Sequence, residues 1–438
     1  MLLLATLGGL LVRVKNEIPE NAKLLCAESE LIGYALLMAH GGSLGGLRAA
    51  NLALVVSILE QAGSLSRADL MRRTGLSRST VSSLVVQLLD EGVVVERLDR
   101  GTPYKGGSGR PPILIELATL TGVVAGIDVG HRHVRVALAR PDSTIVLERS
   151  VVLDVDDSPH ESMDRVASLL DELLEESGHR RDDVRGVGLG IPGPVDREGR
   201  MTSGILPTWR GLRPADELAD RTGLIARVHN DAHLGARGEL AYGVARGHRD
   251  LIYVKASTGI GGGLIVDGRL VTGSTGIAGE LGHVQVDVNG VMCRCGSRGC
   301  LETEVSGPKL VSLLQPAYDE QLTVPRVLEL AETGDAGATR ALNDFGRRIG
   351  RVLATIANLL NPGLVVVGGA FGGAPALQAG IRDALDRYAQ PSTAAAIAVV
   401  GGALGERAEV MGAVAVALDP ASEAAGPADE PSRSPAAG

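Results

Sequence analysis

Three of the four cysteines in this 438-residue chain, Cys293, Cys295 and Cys300, fall within eight residues of one another, and His283 stands ten residues ahead of the first. Three thiols and an imidazole make a Cys₃His set, the ligand chemistry of tetrahedral zinc. With all four positions supplied by protein, no open position is left for a catalytic water. One structural zinc is therefore expected on His283, Cys293, Cys295 and Cys300, pinning the loop that presents its neighbours; the alternative is three buried free thiols. The fourth cysteine, Cys26, is alone, so the chain has no disulfide framework. Thiols arranged for a metal fit a reducing compartment and a cytoplasmic protein.

A length of 438 residues predicts two or three domains. Hydrophobic residues make up 45% and charged residues 22%, an ordinary soluble balance, and no apolar run reaches the roughly 18–20 residues of a membrane span. The apolar stretch Met1–Val12 has no basic residues before it and no small-residue cleavage site after it, so it reads as non-secretory. Residues 1–45 are expected to be an extension. Met38, just ahead of the next pattern, reads as the natural start; the alternative is a disordered or accessory segment. The net charge of −9 excludes a chain that is basic throughout. Between Arg48 and Arg110, however, nine Lys/Arg stand against six Asp/Glu, which places a weakly basic module on an acidic body, as local DNA contact would require.

Residues 46–118 read as that module. Leu52, Val55, Val56, Ile58 and Leu59 mark one helical face, ended by Gly63. Ser66 with Asp69 forms a rough capping box for a second helix, Gly75 makes the turn, and Ser77 caps a third helix over Arg78–Asp90. Strands are expected at Val93–Leu98 and Ile113–Leu117, on either side of a Gly-, Pro- and Arg-containing loop. This is the layout of a winged helix-turn-helix. In the third helix Val81, Leu84, Val85 and Leu88 share one face. Ser77, Arg78, Ser79, Thr80, Ser82 and Ser83 supply the short polar and cationic groups that meet base edges and phosphates in a major groove. At the wing, Arg110 between glycine and proline suits a narrow minor groove, and Lys105 adds a phosphate contact. Operator DNA is the expected partner, although three-helix modules also bind proteins.

From residue 122 the pattern becomes strand and helix in alternation, an α/β body over 122–418. Strands are expected at Val123–Asp128, Val134–Ala139, Val184–Gly190, Ala226–His229, Leu251–Lys255 and Leu364–Val367, and helices at Met163–Ser177 and Asp344–Leu360. Residues 419–438, rich in Pro, Ala, Ser and Glu, are expected to be a disordered tail.

The body carries Glu280-Leu-Gly-His283 and, after it, Cys293-x-Cys295-Gly-x-x-Gly-Cys300-Leu-Glu302, together with Gly190-Ile-Pro-Gly193, Asn230-Asp231 and Ser257-Thr-Gly-Ile-Gly-Gly-Gly263. On these motifs the chain resembles the ROK family (repressor, open reading frame, kinase) from about Arg48 to Ala417. The resemblance implies an α/β fold in which the winged helix-turn-helix precedes a two-lobed actin-like (ribonuclease H-like ATPase) ROK domain with a sugar in its cleft. It also implies that Asn230, Asp231, Glu280, His283 and Glu302 contact sugar hydroxyls, and that Asp231 would be the general base were the protein a kinase. His283 would use one ring nitrogen for zinc and the other for sugar.

A kinase also needs two phosphate loops. Thr258, Gly259, Gly261 and Gly262 match the second. The first departs from the family's kinases, which resemble Asp-x-Gly-Gly-Thr-Lys: here Asp128 and Gly130 remain, but His131 and Arg132 replace a glycine and a threonine. Ile205 stands where sugar kinases often place an asparagine. The expectation is a non-catalytic sugar-kinase homologue, a DNA-binding repressor of carbohydrate metabolism that binds a sugar or sugar phosphate and forms a homodimer or homotetramer without membrane contact. The alternative is an active ATP-dependent sugar kinase with an accessory DNA-binding domain. A regulator controlled by another protein fits the same residues.

Overall fold

The computed structural model describes residues 44–90, 93–97, 113–118, 122–202 and 205–419. The expected extension before residue 44, most of the wing including Lys105 and Arg110, and the tail from 420 lie outside the described residues. The chain divides into two compact units between Leu120 and Thr121.

The first unit holds α1 (Leu44–Ala62), β1 (Leu65–Ser66), α2 (Arg67–Thr74), α3 (Arg78–Asp90), β2 (Val94–Arg97) and β3 (Leu114–Leu117). The Ser66–Asp69 capping box forms, and Gly75 ends α2 at φ 69°, a left-handed conformation that favours glycine. Val55, Leu59, Leu70, Val81, Leu84, Val85 and Ile115 are buried together. A small antiparallel sheet in the order β1-β3-β2 closes the module. β1 is too short to leave a periodic signal in the sequence, yet it is what joins the wing strand β3 to the helices, pairing Leu65 with Ile115.

The second unit is built twice on one plan. β4 (Val123–Val129), β5 (His133–Ala139), β6 (Ile145–Val152), β7 (Val184–Ile191) and β8 (Ala226–Asn230) form a sheet in the order β6-β5-β4-β7-β8. α4 (Pro159–Glu176) and α5 (Pro214–Thr222) lie within its crossovers. α6 (Asp231–Tyr242) leads on to β9 (Leu251–Ala256), β10 (Ile260–Val266), β11 (Arg269–Leu270), β12 (Leu364–Gly368) and β13 (Ala398–Gly401), in the order β11-β10-β9-β12-β13. Each sheet is an antiparallel three-strand meander followed by two parallel strands, the duplicated two-lobed pattern of an actin-like fold. Between β11 and β12 come α7 (Leu301–Glu304), α8 (Gly307–Leu314), α9 (Val324–Glu332) and α10 (Ala336–Leu360). α11 (Pro375–Tyr388) and α12 (Pro391–Ala396) precede β13, and α13 (Ala408–Leu418) ends the fold.

α6 and α13 pack on each other between the sheets at a distance only small residues permit. A Cβ on Gly238 would lie 3.0 Å from the Gly412 nitrogen, and one on Gly412 would meet the Leu234 carbonyl. Two expected elements differ from the structure. α10 begins at Ala336 rather than Asp344, because Asp335 caps it and Ala338, Ala341 and Leu342 extend its buried stripe. The glycine run read as a loop is largely strand β10. A Cβ on Gly261 would fall 2.7 Å from Ala232 Cβ, so glycine there answers to helix packing as much as to a ligand.

Candidate functional site

The junction of the two sheets opens into a cavity of about 850 Å³. Asn230, Asp231, Glu280, His283 and Glu302 all line it, as do Gly259, Gly261, Gly262, Thr258, Gly130 and Ile205. The five polar residues come from the β8–α6 corner, the loop after β11 and α7, so non-local pairing of the sheets is what brings them together.

Their local bonds define what each has left to offer. Asn230 caps α6: its Oδ1 accepts from Ala232 N at 2.8 Å and His233 N at 3.2 Å, while Nδ2 donates to the Gly193 carbonyl at 3.0 Å. Both acceptor lone pairs are spent on the helix, so Asn230 is left with one N–H to donate. Asp231 Oδ1 accepts from Ala232 N at 2.7 Å, and Oδ2 accepts from Lys255 Nζ at 2.8 Å. Glu302 Oε2 accepts from Ile260 N at 3.1 Å. Glu280 is pushed up to about 7 by burial and by the neighbouring charges of Asp231 and Glu302. Near neutrality it can both donate to and accept from a hydroxyl. A wall of this kind satisfies a polyol, whose hydroxyls need donors and acceptors in alternation.

His283 turns Nδ1 toward the thiols, 3.6 Å from Cys293 Sγ, and Nε2 toward the cavity, 3.6 Å from Glu280 Oε2. Cys295 and Cys300 sulfurs are 3.7 Å apart, and the four ligand atoms all lie within 4.8 Å of one another. A tetrahedral ion with metal–sulfur bonds near 2.3 Å and metal–nitrogen bonds near 2.0 Å has ligand edges of roughly 3.5–3.8 Å, so the quartet fits such an ion. Burial and the adjacent thiol of Cys295 push Cys300 up to about 12, the condition of thiols crowded together without a cation. The cluster could hold a metal.

The first loop, the β4–β5 hairpin, is closed by its own side chains. His133 Nε2 bonds Asp128 Oδ2 at 2.8 Å, and the imidazole lies over Gly130, where a Cβ would stand 2.7 Å from His133 Nδ1. His131 is drawn aside to Asp156 at 2.6 Å, and Arg132 pairs with Asp154. It is His133, rather than His131 or Arg132, whose side chain lies over Gly130; it stands across the hairpin from Gly130 and diagonal to Asp128, whose direct cross-strand partner is Arg135.

A profile of the ROK family matches residues 124–420, and one described as winged helix-turn-helix DNA-binding matches residues 54–95. The chain belongs to the ROK family. Among ROK relatives, the xylose repressor of Bacillus subtilis is 32% identical over 317 residues, 72% of this chain and 81% of that protein. The glucokinase of Thermotoga maritima is 31% identical over 308 residues, 66% of this chain and 96% of that protein. The crystal structure of a ROK family transcriptional regulator homologous to the E. coli MLC protein superposes with a TM-score of 0.67 at 23% identity, covering 84% of this chain and 94% of that one. ROK membership thus spans both regulators and kinases, and the site itself must distinguish them.

In the first unit, Ser77, Arg78, Ser79 and Ser83 are exposed along one side of α3, with Thr80 and Ser82 half-buried. Ser77 Oγ accepts from Thr80 N at 3.2 Å and bonds the Thr80 and Ser79 hydroxyls, so it acts as the helix cap. Arg48, which sequence reasoning counted only as charge, reaches from α1 to Gln87 Oε1 at 2.8 Å and Ser83 Oγ at 3.2 Å. It adds a cation to the same helix. No described helix is long and apolar enough to cross a membrane.

Proposed function

We propose that this protein is a sugar-responsive transcriptional repressor of carbohydrate metabolism whose ROK domain binds sugar and does not phosphorylate it. The observation that carries the reading is the closed first loop. A phosphate must approach backbone N–H groups closely, and phosphoryl transfer depends on positioning. Here the space over Gly130 is filled by His133, which also engages Asp128. The five residues read as sugar-facing all line the cavity beside it, which supports sugar binding.

In this reading Glu280, Glu302, Asp231 and the Nε2 of His283 bond sugar hydroxyls, and Asn230 donates one bond. His283, Cys293, Cys295 and Cys300 would hold a structural zinc. It would fix the His283 ring so that Nε2 faces the cavity, and with four protein ligands it would leave no site for substrate. The exposed side of α3, with Arg78, Ser79 and Ser83, would read operator DNA, and the wing with Lys105 and Arg110 would add phosphate and minor-groove contacts. Sugar would alter DNA affinity by preferring one arrangement of the two lobes, because a ligand shifts an equilibrium only by its differential affinity for the two states. A homodimer or homotetramer would present paired reading heads.

Two assays on purified, zinc-loaded protein test this: ATP consumption with a panel of hexoses, pentoses and amino sugars, and operator binding with the same panel. The reading expects no turnover and a sugar-dependent change in operator affinity. Turnover with any one sugar would make the protein a kinase that also binds DNA.

A further inference from the structure

Lys255 is the residue in the cavity wall that sugar recognition leaves unexplained. It stands in β9, a strand otherwise made of Leu251, Ile252, Tyr253, Val254 and Ala256. Its Nζ lies 2.8 Å from Asp231 Oδ2 and 3.4 Å from Glu409 Oε1. Asp128, on the first sheet, acts on it through its charge. Burial opposes the ammonium, yet Asp231, Glu409 and Asp128 together hold its pKa above the ordinary lysine value.

The three carboxylates come from separate elements. Asp128 ends β4, Asp231 opens α6, and Glu409 sits in the first turn of α13. Asp128 and Glu409 are 1% and 3% exposed, and Asp128 Oδ1 has no hydrogen-bond partner among the described residues. Carboxylates gathered out of water in this way are strongly unfavourable unless a cation sits among them. In phosphoryl transfer that cation is a divalent metal arriving with the nucleotide. Here a side chain already occupies the place. The same ammonium bonds Asp231 Oδ2, one of the two oxygens through which that carboxylate could meet a substrate hydroxyl. Two carboxylates engage it directly, so it is not left as a hook for a phosphorylated sugar.

We propose that Lys255 is a positioning residue that replaces the nucleotide's metal: a built-in cation joining Asp231, Glu409 and Asp128 across the two sheets, which makes the pocket independent of divalent metal and nucleotide. This rests on the non-catalytic reading above and names the residue responsible for it. Removing the ammonium should uncover a set of oxygen ligands suited to a hard divalent ion.

The test uses full-length, zinc-loaded protein with Mn²⁺ as the probe, because Mn²⁺ prefers carboxylates to the thiols of the zinc cluster. Bound Mn²⁺ is counted by electron paramagnetic resonance, and melting is followed against Mn²⁺ concentration. Wild type should bind no Mn²⁺ in the cavity, and its Tm should not move. Lys255→Met should melt lower than wild type in the absence of Mn²⁺. It should then bind one Mn²⁺ and regain roughly 2–4 °C for each tenfold rise above the dissociation constant.

Should Lys255→Met not fold, Lys255→Met/Glu409→Gln removes one of the uncovered charges and should show the same Mn²⁺ dependence. Mn²⁺ stabilising wild type, or failing to bind or stabilise whichever variant folds, overturns the proposal. Failure of both variants to fold even when Mn²⁺ is supplied throughout also overturns it, because metal should substitute for the ammonium. These outcomes are separate from the functional reading, which stands or falls on ATP turnover and operator binding by wild type.

Discussion

Gly259→Ala should separate the stability of this protein from its ligand binding. Gly259 is not in the left-handed region, so alanine is compatible with its backbone. The added methyl would stand 3.1 Å from Glu302 Cδ and closer still to Oε2. Ordinary carbon contacts need about 3.5 Å, so the carboxylate must retreat by roughly 1 Å. The group displaced is the free end of a flexible side chain, and the fold should lose little beyond the 3.1 Å bond from Ile260 N to Glu302, about 1 kcal/mol or a few degrees in Tm. The pocket loses far more. A carboxylate moved by that distance leaves hydrogen-bond range of a bound hydroxyl, and a bond to a charged group is worth about 1.5–3 kcal/mol, or about 10- to 100-fold in Kd. Isothermal titration with the tightest-binding sugar of the panel measures this, with Glu302→Gln as the variant that keeps the shape and removes the charge. A Gly259→Ala protein that binds sugar within twofold of wild type would refute the placement of Glu302 against the ligand.

Three further outcomes follow from the same geometry. Stripping the metal, or Cys295→Ser, should reduce zinc below one per chain by elemental analysis and weaken sugar binding by roughly tenfold or more as His283 loses its orientation; unchanged sugar affinity in metal-free protein would disconnect the cluster from the cavity. Arg78 is a cation in the first turn of α3, where the helix dipole disfavours it. Arg78→Ala should therefore leave Tm equal or slightly higher while operator affinity falls by about 1–3 kcal/mol in a gel-shift titration, and equal binding would remove it from the reading surface. Burial, joined by the charges of Asp128 and Asp231, outweighs the opposing Lys255 and raises Glu409 from 4.5 to about 7. The folded state thus holds a proton that the unfolded chain releases. The stability this contributes is full below pH 4.5 and is lost as pH rises through about 7, so Glu409→Gln should flatten that part of the Tm–pH curve, and a parallel curve would contradict the assignment.

What was legible in the sequence was what is local. The capping box of Ser66 and Asp69, the bounds of α3, the Cys₃His quartet and the Asn230-Asp231 corner all depend on residues close in the chain. The duplicated sheet was not legible, because β4–β7 and β9–β12 pair across long crossovers and the two halves share topology without a sequence repeat. The capping bonds of Asn230 became visible only with α6 in place. Lys255 and His133 were missed as functional residues, although each had a signal. A lysine in the interior of an apolar strand is rarely buried without a partner, and a histidine just past a tight hairpin lies diagonally across from the aspartate, on the same face of the sheet.

On the non-catalytic reading proposed above, the two residues together would let a kinase-like pocket give up transfer without losing its fold. Asp128 and Asp231 are enclosed, and an enclosed carboxylate without a partner costs more than most single substitutions recover. His133 engages the first at 2.8 Å and Lys255 the second at 2.8 Å, each from a neighbouring strand. His133 fills the space over Gly130, and both side chains partner buried carboxylates. Replacing His133 would clear Gly130 and unpair Asp128, and replacing Lys255 would unpair Asp231, so single reversions should destabilise the protein before they restore any turnover. Glu280, His283 and Glu302, the rest of the proposed sugar wall, stand on other elements. Such a pocket would keep binding while losing transfer, which is the property the proposed sensor requires.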